Sequence, residues 1–309
     1  MEKGIVNFDV GTGFNGQLLI DKATKGVASN GSPFLTLFLT DRTGKIEAKL
    51  WSVTEEQVES FTSGKVVNVE GVITEFRGNK QLKIQSISLC DDVDLSNFVK
   101  TAPVTKEHLI SEIDETINNM ENENIKNITA KIMAKHRQEF YEFPAAKSMH
   151  HNYQSGLAYH TVTMLKIAKS LADIYPELNK DLLYALIILH DIKKCSEYTG
   201  VINTERTLEG KLKGHLAMIS EEIGITAMEL GIEGEEVLLL QHGVGSHHGK
   251  LEWGSFVQPQ IMEAEIVHFI DMIDAKMDML RQALGKVEKG EFTERLRGLD
   301  NRSFYKPTI

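Results

Sequence analysis

The stretch LLYALIILHDIKK, residues 182–194, runs eight apolar residues, Leu182 to Leu189, without a break and then sets His190 beside Asp191. A helix that is apolar all round is a buried helix. Burying an imidazole and a carboxylate is costly unless a partner or a cation satisfies them. The run therefore predicts a helical core, with a helix over 179–193 that carries a polar centre at its end.

The charge and histidine content around this stretch divide the chain in two. The formal net charge is −10, yet residues 1–90 hold ten basic and ten acidic residues and are neutral. All eleven histidines lie at position 108 or later, so imidazole chemistry belongs to the C-terminal part. An acidic chain does not coat duplex nucleic acid by bulk electrostatics, although a local basic groove is compatible with it. Two cysteines, Cys90 and Cys195, fit neither a disulfide framework nor a zinc pattern, so reduced thiols are expected. The start, MEKGIVNFDV, lacks the apolar segment of a signal peptide. No apolar run approaches the roughly 18 residues of a membrane span. A cytoplasmic protein without membrane partners is the expectation.

The N-terminal part alternates with period two. FLTLFLT sets Leu35, Leu37 and Leu39 against Phe34, Thr36 and Phe38. DRTG turns the chain into KIEAKLW, and KVVNVEGVITEF, RGN and KQLKIQSISL repeat the hairpin signal. With NGQLLIDKATKGV this makes about five strands, and SVTEEQVESF is a short helix between the pairs. The expectation is an OB-type five-stranded barrel over 1–90, with Gly71 at a barrel bend. Such barrels bind single strands through stacking aromatics and basic residues. Phe38, Lys49, Trp51, Arg77 and Lys80 are the candidate nucleic-acid contacts. Residues 91–105 read as a linker, and 106–309 as an all-helical domain. Its helices are expected at 106–119, 122–142, 155–176, 179–193, 206–231, 233–246 and 260–286.

Within the helical part, polar residues recur in apolar surroundings: His160, His190–Asp191, His215, His242, His247–His248 and Asp271–Asp274. His108, His136 and His268 read as ordinary core or surface histidines. In 260–286 the buried stripe is expected to be Ile266, Ile270, Ile273, Met277 and Leu280, with Asp271, Asp274 and Asp278 beside it. Imidazole and carboxylate together suit zinc, manganese, iron or cobalt. Neighbouring residues on a helix point about 100° apart, so His190 can face one cation while Asp191 bridges to a second. A bridged two-metal centre activates water and holds both oxygens of a phosphoryl displacement.

The ordered set resembles the HD phosphohydrolase superfamily over about 150–280. HHNYQSGLAYHT, LHDIKK, LKGHL, SHHGKLEWGS and HFIDMIDAKM, preceded by the barrel, are similar to the YhaM-type 3′-5′ exoribonucleases across nearly the whole chain. The resemblance implies His160, His190, Asp191 and Asp271 on one metal and Asp191, His215, His247 and His248 on a second. It implies Lys194 against the scissile phosphate, and His150, His151, His242 and Asp274 around the substrate or a further metal. The chain departs from the family at Ser155 (a glycine pair), Tyr159 (an acid), Lys193 (a glycine) and Phe256 (a proline). None of these removes a ligand position. Two manganese ions, a single-stranded RNA substrate (or single-stranded DNA) and a homo-oligomer are what the resemblance implies. Two other readings remain open: a phosphohydrolase of mononucleotides or cyclic nucleotides, and a nucleic-acid-binding protein whose HD domain is structural.

Overall fold

The computed structural model describes residues 4–29, 31–91, 93, 97–145, 153–200 and 202–309. The chain divides into two compact units, Met1–Thr101 and Ala102–Ile309.

The first unit is built on β1 (Gly13–Val27), β2 (Pro33–Asp41), β3 (Gly44–Trp51), α1 (Glu55–Ser60), β4 (Val66–Phe76) and β5 (Asn79–Cys90). The strands close in the order β1-β2-β3-β5-β4, with β3 and β5 parallel from Glu47↔Gln81 to Lys49↔Lys83. Closure leaves no strand edge unpaired. The period-two pattern decides which face is which. Leu35, Leu37 and Leu39 pair with Leu50, Ala48 and Ile46, and all but the half-buried Leu50 are buried. Phe34, Thr36 and Phe38 pair with Trp51, Lys49 and Glu47 on the outer face. The helix between the strand pairs starts on a capping box, in which Thr54 accepts from the Gln57 amide and Gln57 caps Thr54 in return.

Gly71 sits where the β4–β5 register shifts by one residue, between Glu70 and Gly71. A β-carbon there would lie 2.4 Å from the carbonyl oxygen of Lys83. The bend brings two backbones into contact that no side chain can separate.

The second unit is helical: α2 (Lys106–Asn118), α3 (Glu123–Phe140), α4 (Gly156–Ile174), α5 (Lys180–Leu189), α6 (Lys194–Glu197), α7 (Leu208–Leu212), α8 (Gly214–Leu230), α9 (Glu235–Ser246) and α10 (Met262–Leu284). Thr105, Asn122, Asn179 and Thr207 cap the N-termini of α2, α3, α5 and α7 with their side chains. As its composition demands, α5 is buried all along Leu182–Leu189 apart from Tyr184, which is half-buried. Among the described residues no helix is long and apolar enough to cross a membrane.

Three helix expectations are corrected. The helix expected over 179–193 ends at Leu189, because His190–Lys193 form a turn before α6. The one expected over 206–231 is two helices, broken at Lys213–Gly214 where φ of Gly214 is +71°. The buried stripe of 260–286 is rotated. Ile273 and Met277 are 48% and 52% exposed, while Val267, Ile270, Asp274 and Asp278 are buried. Hydropathy favoured the isoleucine and methionine face, but Asp274 turns inward to His160 Nδ1 and Asp278 accepts from Gln282 Nε2.

Gly71→Ala should lower the thermal midpoint of the full-length protein, at a cost of about 1–3 kcal/mol for an overpacked site. Calorimetry checks it. An unchanged midpoint would mean that the β4–β5 bend relaxes freely.

Candidate metal centre and nucleic-acid face

The end of α5 controls the centre. His190 caps that helix, and its Nδ1 donates to the carbonyl of Ile187 at 2.7 Å. His247, just past α9, donates from Nδ1 to Val244 O at 2.8 Å. His248 does the same to Trp253 O at 2.8 Å. Carbonyls only accept, so each of these rings carries its proton on Nδ1 and a lone pair on Nε2. Carboxylates lie behind two further rings: Asp274 is 2.6 Å from His160 Nδ1, and Glu197 is 2.5 Å from His215 Nδ1. Backing a metal-binding imidazole with a carboxylate or carbonyl is the usual way to fix its tautomer and orientation.

The Nε2 atoms converge on Asp191, which is 3% exposed. His190 Nε2 lies 3.2 Å from Asp191 Oδ2, and His215 Nε2 lies 3.2 Å from Oδ1. His247 Nε2 is 3.8 Å from Oδ1, and His160 Nε2 is 3.3 Å from Asp271 Oδ1. Among the described residues, His190 Nε2, His215 Nε2, His247 Nε2 and Asp191 Oδ1 are buried without a well-directed hydrogen bond. Acceptors thus face acceptors in the interior, an arrangement that a cation satisfies and a protein donor does not. Two donor sets emerge, each with its ligand atoms within 4.8 Å of one another: His160, His190 and Asp191, and His215, His247 and His248. The donor chemistry fits a divalent cation.

The electrostatics agree with that fit at Asp191 and His247, whereas at His160 and His215 the neighbouring carboxylates favour a proton that a bound cation displaces. Burial would raise the Asp191 pKa, but Lys194 and His190 outweigh it and hold the carboxyl well below its usual range. Burial pushes His247 well down, with His248 and His190 adding to it, so this ring stays neutral as a ligand must. Burial also opposes charge on His160, yet Asp271 and Asp274 hold its pKa up to about 10. Lys194 is 8% exposed and gives a 2.6 Å hydrogen bond to Asp191 Oδ2. Burial works against its charge, and Asp191 more than restores it.

Not every expected residue falls in this cluster. His150 and His151 lie outside the described residues. His242, half-buried, accepts from the Gln260 amide at 3.0 Å. Asp274, expected around the substrate or a further metal, lies 2.6 Å from His160 Nδ1. Glu197 had no signal in the sequence, because its partner His215 is eighteen residues away. Glu222 was missed for the same reason. It is buried on α8 and meets Lys135 at 2.6 Å and both His136 and Lys193 at 2.9 Å.

On the barrel, Phe38, Lys49 and Trp51 share the outer face of β2 and β3 with Phe34, which the sequence reading had not selected. Phe34 and Trp51 rings lie 4.9 Å apart, and Lys49 Nζ is 5.4 Å from the Phe34 ring. Arg77, at the β4–β5 turn, lies over Phe76 at 5.3 Å. Lys80 donates to Phe8 O at 2.8 Å. The parallel β3–β5 register puts Arg77 and Lys80 at the far end of β3 from Trp51.

A closed five-stranded barrel followed by a helical bundle with this histidine–aspartate centre defines a two-module chain, an OB-fold domain joined to an HD domain. Family profiles agree: an OB-fold nucleic acid binding domain matches residues 20–89, and an HD domain matches 157–276. Full-length relatives narrow the class. The protein named 3′-5′ exoribonuclease YhaM from Halalkalibacterium halodurans is 52% identical over 312 residues, covering 100% of this chain and 98% of its own length. The protein of the same name from Oceanobacillus iheyensis is also 52% identical, with the same coverage. The one from Geobacillus sp. is 52% identical over 99% of this chain and 96% of its own. The chain belongs to the YhaM family.

Metal titration by calorimetry distinguishes ligand from support. Asp191→Asn should lose measurable affinity for manganese. Glu197→Gln should keep binding but weaken it about 10–100-fold, the usual cost of removing a carboxylate behind a histidine ligand. Wild-type affinity in Glu197→Gln would show that His215 is not a ligand.

Proposed function

We propose that this chain is a metal-dependent 3′-5′ exoribonuclease, hydrolysing phosphodiester bonds of single-stranded RNA to 5′ mononucleotides, with single-stranded DNA as the second polymer. The observation that carries the chemistry is the ring of buried, outward-locked Nε2 lone pairs around Asp191. The names of its full-length relatives supply the polarity and the polymer. His160, His190, Asp191 and Asp271 would hold one ion, and His215, His247 and His248 with Asp191 a second. A divalent metal there, manganese on family grounds with iron, cobalt or zinc as competitors, supplies Lewis acidity toward the phosphate and lowers the pKa of water.

The chain's own groups supply the rest. Asp274 and Glu197 keep His160 and His215 in the tautomer that presents Nε2. Lys194, kept charged by Asp191, offsets charge that develops on the phosphoryl oxygens. The outer barrel face, with Phe34, Phe38, Lys49 and Trp51, holds bases and phosphates of the strand. That face favours a polymer over a mononucleotide or cyclic nucleotide, since a small substrate needs no strand-binding module. A donor set this complete speaks against a merely structural HD domain. A homo-oligomer in the cytoplasm completes the reading, and would let several barrels share one strand.

A 5′-labelled single-stranded RNA is the test. It should survive in EDTA and, on addition of manganese, shorten one nucleotide at a time. A 3′-phosphate should slow the reaction. Degradation of circular RNA at the linear rate would make the protein an endonuclease.

Replacing both Phe34 and Trp51 with alanine should reduce kcat/KM on a long RNA by roughly tenfold or more, since stacking is worth about 1–3 kcal/mol per base. The loss should grow with salt. Equal losses on a long RNA and a dinucleotide would remove the barrel from strand binding.

A further inference from the structure

The chain has two tryptophans, and both are about half exposed: Trp51 at 54% and Trp253 at 48%. Large aromatic side chains are usually well buried, so exposure of both calls for a physical reason. Trp51 belongs to the barrel face. Trp253 lies in the helical domain, on a single turn, Leu251–Trp253, directly after the ligand pair His247–His248.

We infer that Trp253 and Lys250 form a nucleobase-stacking site beside the metal centre, which holds the base of the 3′-terminal nucleotide. This inference rests on the exoribonuclease reading. Its first support is connection to the centre. The Trp253 carbonyl accepts from His248 Nδ1 at 2.8 Å, so the residue that presents the ring also fixes a ligand. The Trp253 ring stands 6.0 Å from the ring of His268, and His268 Nδ1 is 3.1 Å from the carbonyl of His247. The platform and the cluster therefore share backbone on both sides.

Charge is the second support. Lys250 Nζ sits 4.6 Å from the centroid of the Trp253 ring. An exposed ammonium over an exposed indole, in a chain of net charge −10, marks a surface that attracts a π-system and its phosphate together. Beside Lys250 and His268 a cleft of about 830 Å³ opens toward the start of α10, bounded by Gln258, Gln260 and Phe269. That volume accommodates a nucleoside, and the amides offer donors and acceptors to base edges.

The third support is rigidity. Trp253 N donates to Lys250 O at 3.1 Å, Gly254 N to Leu251 O at 3.0 Å and Phe256 N to Gly245 O at 3.0 Å. Ser255 Oγ donates to Ser246 O at 3.1 Å. A turn this closely tied holds its aromatic in place before substrate arrives, which lowers the ordering cost of binding.

Two trinucleotides decide the matter, one complete and one abasic at its 3′ end. In manganese, the wild-type protein should favour the complete substrate by about tenfold or more in kcat/KM, the scale of one lost stack. In Trp253→Ala that ratio should fall toward one, and Trp253→Phe should restore most of it. An unchanged ratio in Trp253→Ala overturns the inference. A second measurement is independent of turnover. In a Trp51→Phe background Trp253 is the one tryptophan left, excited selectively over the tyrosines, and a hydrolysis-resistant phosphorothioate trinucleotide should quench it more than its abasic counterpart. Equal quenching overturns the stacking site. Failure to cleave either substrate, with base-dependent quenching intact, overturns the exoribonuclease reading instead. Gel filtration is the last arm. Dissociation of Trp253→Ala into smaller species, with the substrate ratio preserved, would assign the ring to a contact between copies and overturn the inference.

Discussion

The helical domain depends on one electrostatic constraint: a carboxylate, Asp191, buried at the end of an apolar helix and ringed by lone pairs. Burying one negative charge is costly, and surrounding it with acceptors makes it worse. The fold tolerates this because every ring around it is committed in advance. Carbonyls of Ile187, Val244 and Trp253 and carboxylates of Asp274 and Glu197 occupy the Nδ1 positions, so the Nε2 lone pairs have nowhere else to point. Among the described residues Lys194 answers Asp191 with a hydrogen bond to Oδ2. The other oxygen, Oδ1, is buried without a hydrogen bond, which suits it to a cation.

A second buried carboxylate has the opposite design. Glu222 is surrounded by donors: Lys135, His136 and Lys193. Burial would raise its pKa, but those three outweigh it and hold the group well below its usual range. The two sites are linked through the turn after α5, because Lys193 is two residues from Asp191 and Glu222 lies on α8, whose first turn carries His215. The ion pair therefore ties the turn carrying Asp191 to the helix carrying His215.

How much of this was legible follows from which interactions are local. Strand periodicity is local, so Leu35, Leu37 and Leu39 and their partners declared the barrel, and the turn sequences declared its hairpins. The eight-residue run declared α5 as core. The candidate ligands were legible as an ordered set because imidazole and aspartate are rare inside apolar helices. Groups acting at a distance were not. Glu197 and Glu222 look like surface acids in their own segments, and only the fold brings them to His215 and Lys193. Phe34 was hidden for a related reason, since its pairing with Trp51 depends on strand register. The rotation of α10 was misjudged because hydropathy ranks Ile273 above Asp274, whereas the interior of this bundle is a place for carboxylates.

Close approach of helices completes the centre. His190 and His247 rings lie 4.9 Å apart although they sit at the ends of two different helices, α5 and α9. A β-carbon at Gly243 would fall 2.3 Å from the Leu186 side chain, so the absence of one lets α9 settle against α5 at one turn's distance from both histidines. The same apolar run that hides α5 thus supplies Leu186 as the surface against which the second ligand helix seats. The metal chemistry and the hydrophobic core are for this reason one construction. Moving α9 outward by the width of a methyl group would separate the two donor sets that Asp191 is placed to join.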